Sequence, residues 1–140
     1  AEGGFKLLGE RLTLDDIEVP LCAVACETDH IAPWKDCYRG VQQMGSKDKT
    51  FIMAQSGHIA GIVNPPNRKK YGHYVNGDLT QDYAAWREAA AFHEGSWWPR
   101  WGKWLTKRAG PMIPARFPGD DGREILADAP GSYVTRKAND

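Results

Sequence analysis

Two short apolar runs, each breaking off into polar residues, constrain the chain more than any other feature. Residues 19–26 (VPLCAVAC) are small, apolar and β-branched and surround a proline. A run of that length and composition reads as a buried parallel strand. It stops abruptly at Glu27-Thr28-Asp29-His30. Residues 50–55 (TFIMAQ) read as a second strand, and Ser56-Gly57-His58 follows at once. Between the two, Pro33 opens a helix in which Trp34, Cys37, Tyr38 and Val41 recur at helical spacing, with Gly45 as its stop. Strand, polar tip, helix, strand, polar tip is the order of an α/β fold with a mostly parallel sheet. In open sheets of that kind, ligands and catalysis sit at the carboxyl ends of the strands. Asp29 and His58 both fall there.

The remaining segments are less periodic. Residues 1–18 form a lead-in, in which Leu7 and Leu8 end a helix at Gly9. Asn64-Pro65-Pro66-Asn67 is a loop, because consecutive prolines continue neither a helix nor a central strand. It shapes the chain behind His58. A helix is expected over 81–93, capped by Thr80 and stopped by Gly95, and another from just after Ser96 to about Arg108. Residues 111–140 hold four prolines and several Gly and Asp and read as an extended tail. The domain division is thus 1–110 and 111–140.

Charge narrows the partners. Eighteen basic and eighteen acidic residues cancel, whereas nucleic-acid binding needs a basic surplus or patch. The runs Arg68-Lys69-Lys70 and Lys103…Lys107-Arg108 are short solvated faces. No apolar run approaches the roughly 20 residues of a membrane span, and residues 1–4 lack the basic-then-apolar pattern of a signal peptide. A soluble, cytoplasmic product that begins inside a longer protein is expected. Cys22, Cys26 and Cys37 are odd in number with no metal-type pairing, so they read as reduced structural thiols. No metal site and no cofactor are expected.

A strand-end Asp followed 29 positions later by a strand-end His fits the late order of a triad in which nucleophile, acid and His follow one another along the chain. The acid holds one ring nitrogen and fixes the tautomer; the other nitrogen serves the nucleophile. On spacing alone the pair has plain alternatives, since a strand-end Asp often only caps a helix and a single His is often structural. His73 and His93 read as surface or packing residues. Trp97, Trp101 and Trp104 fall on one helix face, either as core or as the lining of an apolar substrate or polymer route.

The wording around the pair adds to this. Glu27-Thr28-Asp29-His30-Ile31-Ala32-Pro33-Trp34 resembles the acid motif of polyhydroxyalkanoate synthases, and Ser56-Gly57-His58-Ile59-Ala60-Gly61-Ile62-Val63-Asn64-Pro65-Pro66 resembles their His motif. Gly95-Ser96-Trp97-Trp98-Pro99, with Trp101 and Trp104, resembles their Trp-rich carboxyl segment. The likeness covers residues 15–110 and, more loosely, the tail through Pro130-Gly131-Ser132-Tyr133-Val134. It implies the carboxyl-terminal portion of an α/β-hydrolase fold and a Cys nucleophile at a G-x-C-x-G elbow. It also implies polymerisation of (R)-3-hydroxyacyl-coenzyme A into an intracellular polyester with release of coenzyme A. The His-motif wording looks most like the class that prefers short side chains. By this resemblance Asp29 and His58 are catalytic, and His30, Trp34 and Ile59 contact substrate. The implied partners are the acyl thioester, the growing polyester, the upstream part of the same synthase, a second copy in a homodimer, and the polymer granule.

One departure is large. No G-x-C-x-G occurs: the cysteines sit in Leu-Cys-Ala, Ala-Cys-Glu and Asp-Cys-Tyr. The nucleophile, the oxyanion hole and most of the sheet are therefore expected upstream. Two other readings stay open at this point. One is a fragment of a Ser-nucleophile esterase or depolymerase; the other is a non-catalytic module for dimerisation or granule contact.

Overall fold

The computed structural model describes residues 4–138. The lead-in is a hairpin and not the end of a helix. Strand β1 (Lys6–Leu7) pairs antiparallel with β2 (Glu10–Arg11). Leu8 and Gly9 between them both take positive φ, 50° and 88°. Two such residues make the tight turn that matches the twist of a hairpin. Leucine is a poor residue for that conformation, which is why the turn is hard to read from the sequence.

The main sheet has the order β3-β4-β5-β6, with β3 at Leu21–Cys26, β4 at Lys49–Ala54, β5 at His73–Val75 and β6 at Ala91–His93. β3 and β4 run parallel, in register from Leu21 opposite Lys49 to Cys26 opposite Ala54. Helix α1 (Trp34–Gln43) is the crossover that a parallel pair requires. β5 and β6 then add antiparallel. The sheet is therefore mixed, with one parallel pairing, against the expectation of a mostly parallel one. Three-residue strands are too short to carry a hydrophobic period.

Helix α2 (Tyr83–Ala89) is shorter than expected and is capped by Asp82, not Thr80. The Asp82 carboxylate accepts from the backbone N–H groups of Ala84 and Ala85 at 2.8 and 2.9 Å. Thr80 is instead tied to the Asp78 carboxylate through both its N–H and its hydroxyl. Residues 91–93 leave the helix because cross-strand contacts hold them in β6. Phe92 packs on Tyr74 at 4.9 Å between ring centroids, and His93 stacks on His73 at 5.4 Å. Helix α3 (Trp98–Thr106) follows.

The aromatic cluster of the core lies on one face of the sheet, while Ile52 and Ala54 of β4 are buried on the other. Phe51 and Met53, two residues apart on β4, meet Tyr38 and Val41 of α1 and Trp86 of α2. Trp86 meets Tyr38 at 5.4 Å and Phe51 edge-on at 5.2 Å. Such aromatic pairs add about 0.5–1.5 kcal/mol each beyond the area they bury. The Tyr38 hydroxyl and the Gln42 amide both donate to Gln81 O, fastening α1 to the chain ahead of α2. Gly45, beyond α1, acts by close approach and not by a left-handed cap: a Cβ there would lie 1.9 Å from Asp15 O. Among the described residues, 110–138 form a separate unit of turns and bends with one 3-10 turn at Tyr133–Thr135.

Candidate active site

Parallel pairing brings the ends of β3 and β4 to the same edge, and two further backbone bonds carry the pairing past the strands. Glu27 N–H donates to Ala54 O at 2.8 Å and Thr28 N–H to Ser56 O at 3.1 Å. Ser56 then takes φ of 75°, a conformation costly for a residue with a Cβ and commonest where a side chain must be aimed. The next residues on the two chains are Asp29, and Gly57 with His58.

The Asp29 carboxylate is held from two sides. Oδ1 accepts from Ile31 N–H at 2.9 Å and Ala32 N–H at 3.0 Å, at the turn that leads into α1. Oδ2 lies 2.8 Å from His58 Nδ1. The Asp29 side chain is 7% exposed and that of His58 49%. The backbone N–H of Ala32 and the His58 ring are the main forces holding the Asp29 acid down to about 2. The carboxylate is thus ionised and can only accept, so the proton of a neutral His58 ring sits on Nδ1. Nε2 is left with its lone pair on the exposed side. That is the arrangement of an oriented base.

His58 rides on a single turn. Gly61 N–H donates to Gly57 O at 2.9 Å, and Ile62 and Val63 N–H both donate to Ile59 O. Gly61 is buried, and a Cβ there would sit 2.6 Å from Cys26 Sγ and 2.7 Å from Gln55 O. The Gly57…Gly61 spacing was a signal for this close approach. Asn64, buried, donates to Tyr71 O at 2.9 Å and closes the Pro65-Pro66 loop behind the turn. From the start of α3, the indole N–H of Trp97 donates to Gly61 O at 3.0 Å and that of Trp98 to Ile62 O at 2.9 Å.

The other expected residues separate. His30 and Ile59 are exposed beside Asp29 and His58. Trp34 is not brought to them: its ring packs edge-on against Tyr83 at 5.9 Å and against Trp86 at 6.3 Å. Trp101 is 40% exposed, and the Trp104 ring lies under the Arg108 guanidinium at 4.1 Å. Helix α3 thus has no buried residue. His73, buried, is a packing residue. Arg100 donates to its Nε2 at 3.3 Å, and its Nδ1 donates to Gly95 O at 3.0 Å. Arg100 also lies 3.2 Å from His93 Nε2. His73, His93 and Arg100 line a cavity of about 790 Å³ that does not include Asp29 or His58.

All three cysteines are free thiols. Burial pushes each one up, Cys26 to about 11, with the Asp29 charge adding to the effect at Cys26 and Cys37. A thiol held protonated is a poor nucleophile. No helix among the described residues is long and apolar enough to cross a membrane.

No protein-family model matches the chain. Among curated proteins, it is 40% identical over 129 residues to the poly(3-hydroxyalkanoate) polymerase subunit PhaC of Rhizobium etli, covering 92% of this chain and 20% of that protein. It is 43% identical over 139 residues to the poly(3-hydroxyalkanoate) polymerase of Methylorubrum extorquens, covering 99% of this chain and 23% of the relative. The PhaC subunit of Cupriavidus necator is 36% identical over 138 residues, 97% of this chain and 23% of the relative. The chain spans about a fifth of the length of these relatives.

Proposed function

The chain belongs to the poly(3-hydroxyalkanoate) polymerase family, and we propose that it supplies the acid and the base of a Cys-His-Asp triad in a longer polymerase. The observation that carries this reading is the 2.8 Å contact between His58 Nδ1 and Asp29 Oδ2 at the tips of two parallel strands. The fold around it is then the carboxyl-terminal portion of an α/β-hydrolase. The free edge of β3 receives the rest of the sheet, and the Cys stands at an elbow upstream.

Each step balances. His58 Nε2 takes the proton of the upstream thiol, and the thiolate attacks the thioester carbonyl of an (R)-3-hydroxyacyl-coenzyme A. The carbon–sulfur bond to coenzyme A breaks, and the proton returned by His58 leaves with that thiol. An acyl-enzyme thioester remains. The 3-hydroxyl of a second acyl unit then loses its proton to His58 and attacks the acyl-enzyme carbonyl; the carbon–sulfur bond to the cysteine breaks, the ester chain is extended, and the cysteine leaves as a thiol with the proton that His58 returns. Asp29 stabilises the imidazolium formed each time, and its lowered pKa, about 2, keeps it charged throughout. His30 and Ile59, exposed beside the pair, contact substrate. The working protein is a cytoplasmic homodimer at the polymer granule.

Incubating the full polymerase with labelled 3-hydroxybutyryl-coenzyme A tests the reading. Covalent label should accumulate on the native enzyme and be absent from a His58→Ala variant of equal fold. Labelling of that variant at the native rate would end the proposal.

A further inference from the structure

We propose that Trp97 and Trp98 are positioning residues for His58: their two indole N–H groups fix the turn that carries the base. The inference rests on the reading of His58 as that base.

The turn at 57–63 cannot continue as a helix, because Pro65 and Pro66 follow. Its last carbonyls therefore lack the partners that a further turn would bring. Gly61 O and Ile62 O lie at this end: Gly61 O receives the Trp97 indole N–H at 3.0 Å, and Ile62 O, which also accepts from Asn64 N–H at 3.0 Å, receives that of Trp98 at 2.9 Å. Indole nitrogen donates only, so neither bond can reverse. The two donors are adjacent residues at the start of α3. Their rings meet at 6.3 Å and 73°, and Ser96 Oγ accepts from Trp98 N–H at 3.1 Å, so each ring has little freedom to turn. On its other side the turn abuts β3, since Gly61 leaves no room for a Cβ beside Cys26 Sγ. The segment is gripped between the end of β3 and the start of α3. His58, three residues before Gly61, is itself half exposed. Its orientation depends on the Asp29 contact and on the backbone beneath it. A base displaced by about an ångström loses its reach to the thiol.

A packing role for the tryptophans would use only their ring bodies. Trp104 on the same helix supplies the contrast: its buried indole nitrogen has no partner among the described residues. Replacing indole by phenyl keeps the apolar body and deletes the donor.

The test uses the full polymerase and the variants Trp97→Phe, Trp98→Phe, their combination, Trp104→Phe and His58→Ala. Two readouts are coenzyme A release, as kcat and KM per folded enzyme, and the pH dependence of alkylation of the nucleophilic cysteine. Each single Trp97 or Trp98 variant should lose about tenfold in kcat, the scale of one hydrogen bond, and the double variant more, with KM within about twofold. The alkylation profile of the double variant should move toward that of His58→Ala, and Trp104→Phe should match the native enzyme. If the double variant does not fold, the single variants carry the same two readouts. A variant with a lower melting temperature but native kcat and native pH profile would make the tryptophans purely structural and overturn the proposal. A native alkylation profile in His58→Ala would overturn the assignment of the base, and the positioning role with it.

Discussion

His58 and His73 stand on the same sheet, one just past the end of β4 and the other paired to Ala54 at that strand's last position, yet their surroundings are opposite. His58 is half exposed and faces a carboxylate. His73 is buried and faces a guanidinium and a second imidazole. The Asp29 carboxylate lies 2.8 Å from its partner's Nδ1. For His73, burial leads and Arg100 and His93 add to it, together holding that ring below its ordinary 6.5 against the opposing pull of Gly95 O. Surroundings, and not residue type, set the two histidines apart.

The sharpest way to break this comparison is to remove everything around the strand-tip pair. The 140 residues alone should release no coenzyme A from 3-hydroxybutyryl-coenzyme A above the uncatalysed rate, because no cysteine here is activated. They should also self-associate through the free edge of β3. A thiol-release assay and a mass measurement in solution check both; steady turnover by a stable monomer would show that Cys22, Cys26 or Cys37 is a nucleophile after all. Next in size is Asp29→Asn in the full polymerase. The turn bonds to Ile31 and Ala32 can persist, but the charge opposite His58 is lost, so kcat should fall by about 10³–10⁴-fold, as in other triads. Loss of less than tenfold, with circular dichroism unchanged, would reduce Asp29 to a cap.

His73→Ala should behave in the opposite way. It removes the acceptor of Arg100 and a buried ring, and denaturant unfolding should report a loss of about 1–3 kcal/mol, while kcat per folded molecule stays within about twofold. The smallest effect is on pH. His73 is depressed when folded, so on acidification the unfolded chain takes up its proton first. Its contribution is fully present above 6.5 and erodes as pH falls below that value. Asp29 has its pKa lowered in the folded state, to about 2 from 3.8, so its contribution holds above 3.8 and is lost as pH falls toward 2. Unfolding measured from pH 7 to 2 should therefore show two separate declines, the first missing in His73→Gln and the second reduced in Asp29→Asn, where Asp78, also held low by its bonds to Thr80 and Gln81, still contributes.

What could be read from the sequence followed the length of each signal. β3, α1 and β4 carry apolar runs or a helical period with clear stops, and they place Asp29 and His58 within a few residues of where they stand. The strand over 19–26 begins later, at Leu21, because Val19 and Pro20 precede the first pairing to Lys49. β5 and β6 have three residues each, and only partners distant in sequence make them strands. The expected helix over 81–93 failed at Ala90 for that reason: local propensity gave way to the pairing of Phe92 with Tyr74. Trp34 sits in the acid motif, but its position on α1 sends its ring to Tyr83 and Trp86. The bonds from Trp97 and Trp98 to the His58 turn span 36 residues, and no local pattern reports a contact of that range.

The measurement that tests the central claim most directly compares His58→Ala with His73→Ala in the full polymerase, by coenzyme A release per folded molecule at pH 7. The pair assignment predicts a loss of at least about 10⁴-fold for His58→Ala, the scale seen when a triad base is removed, and a rate within about twofold of native for His73→Ala. Equal losses from the two variants, with both folded, would contradict it.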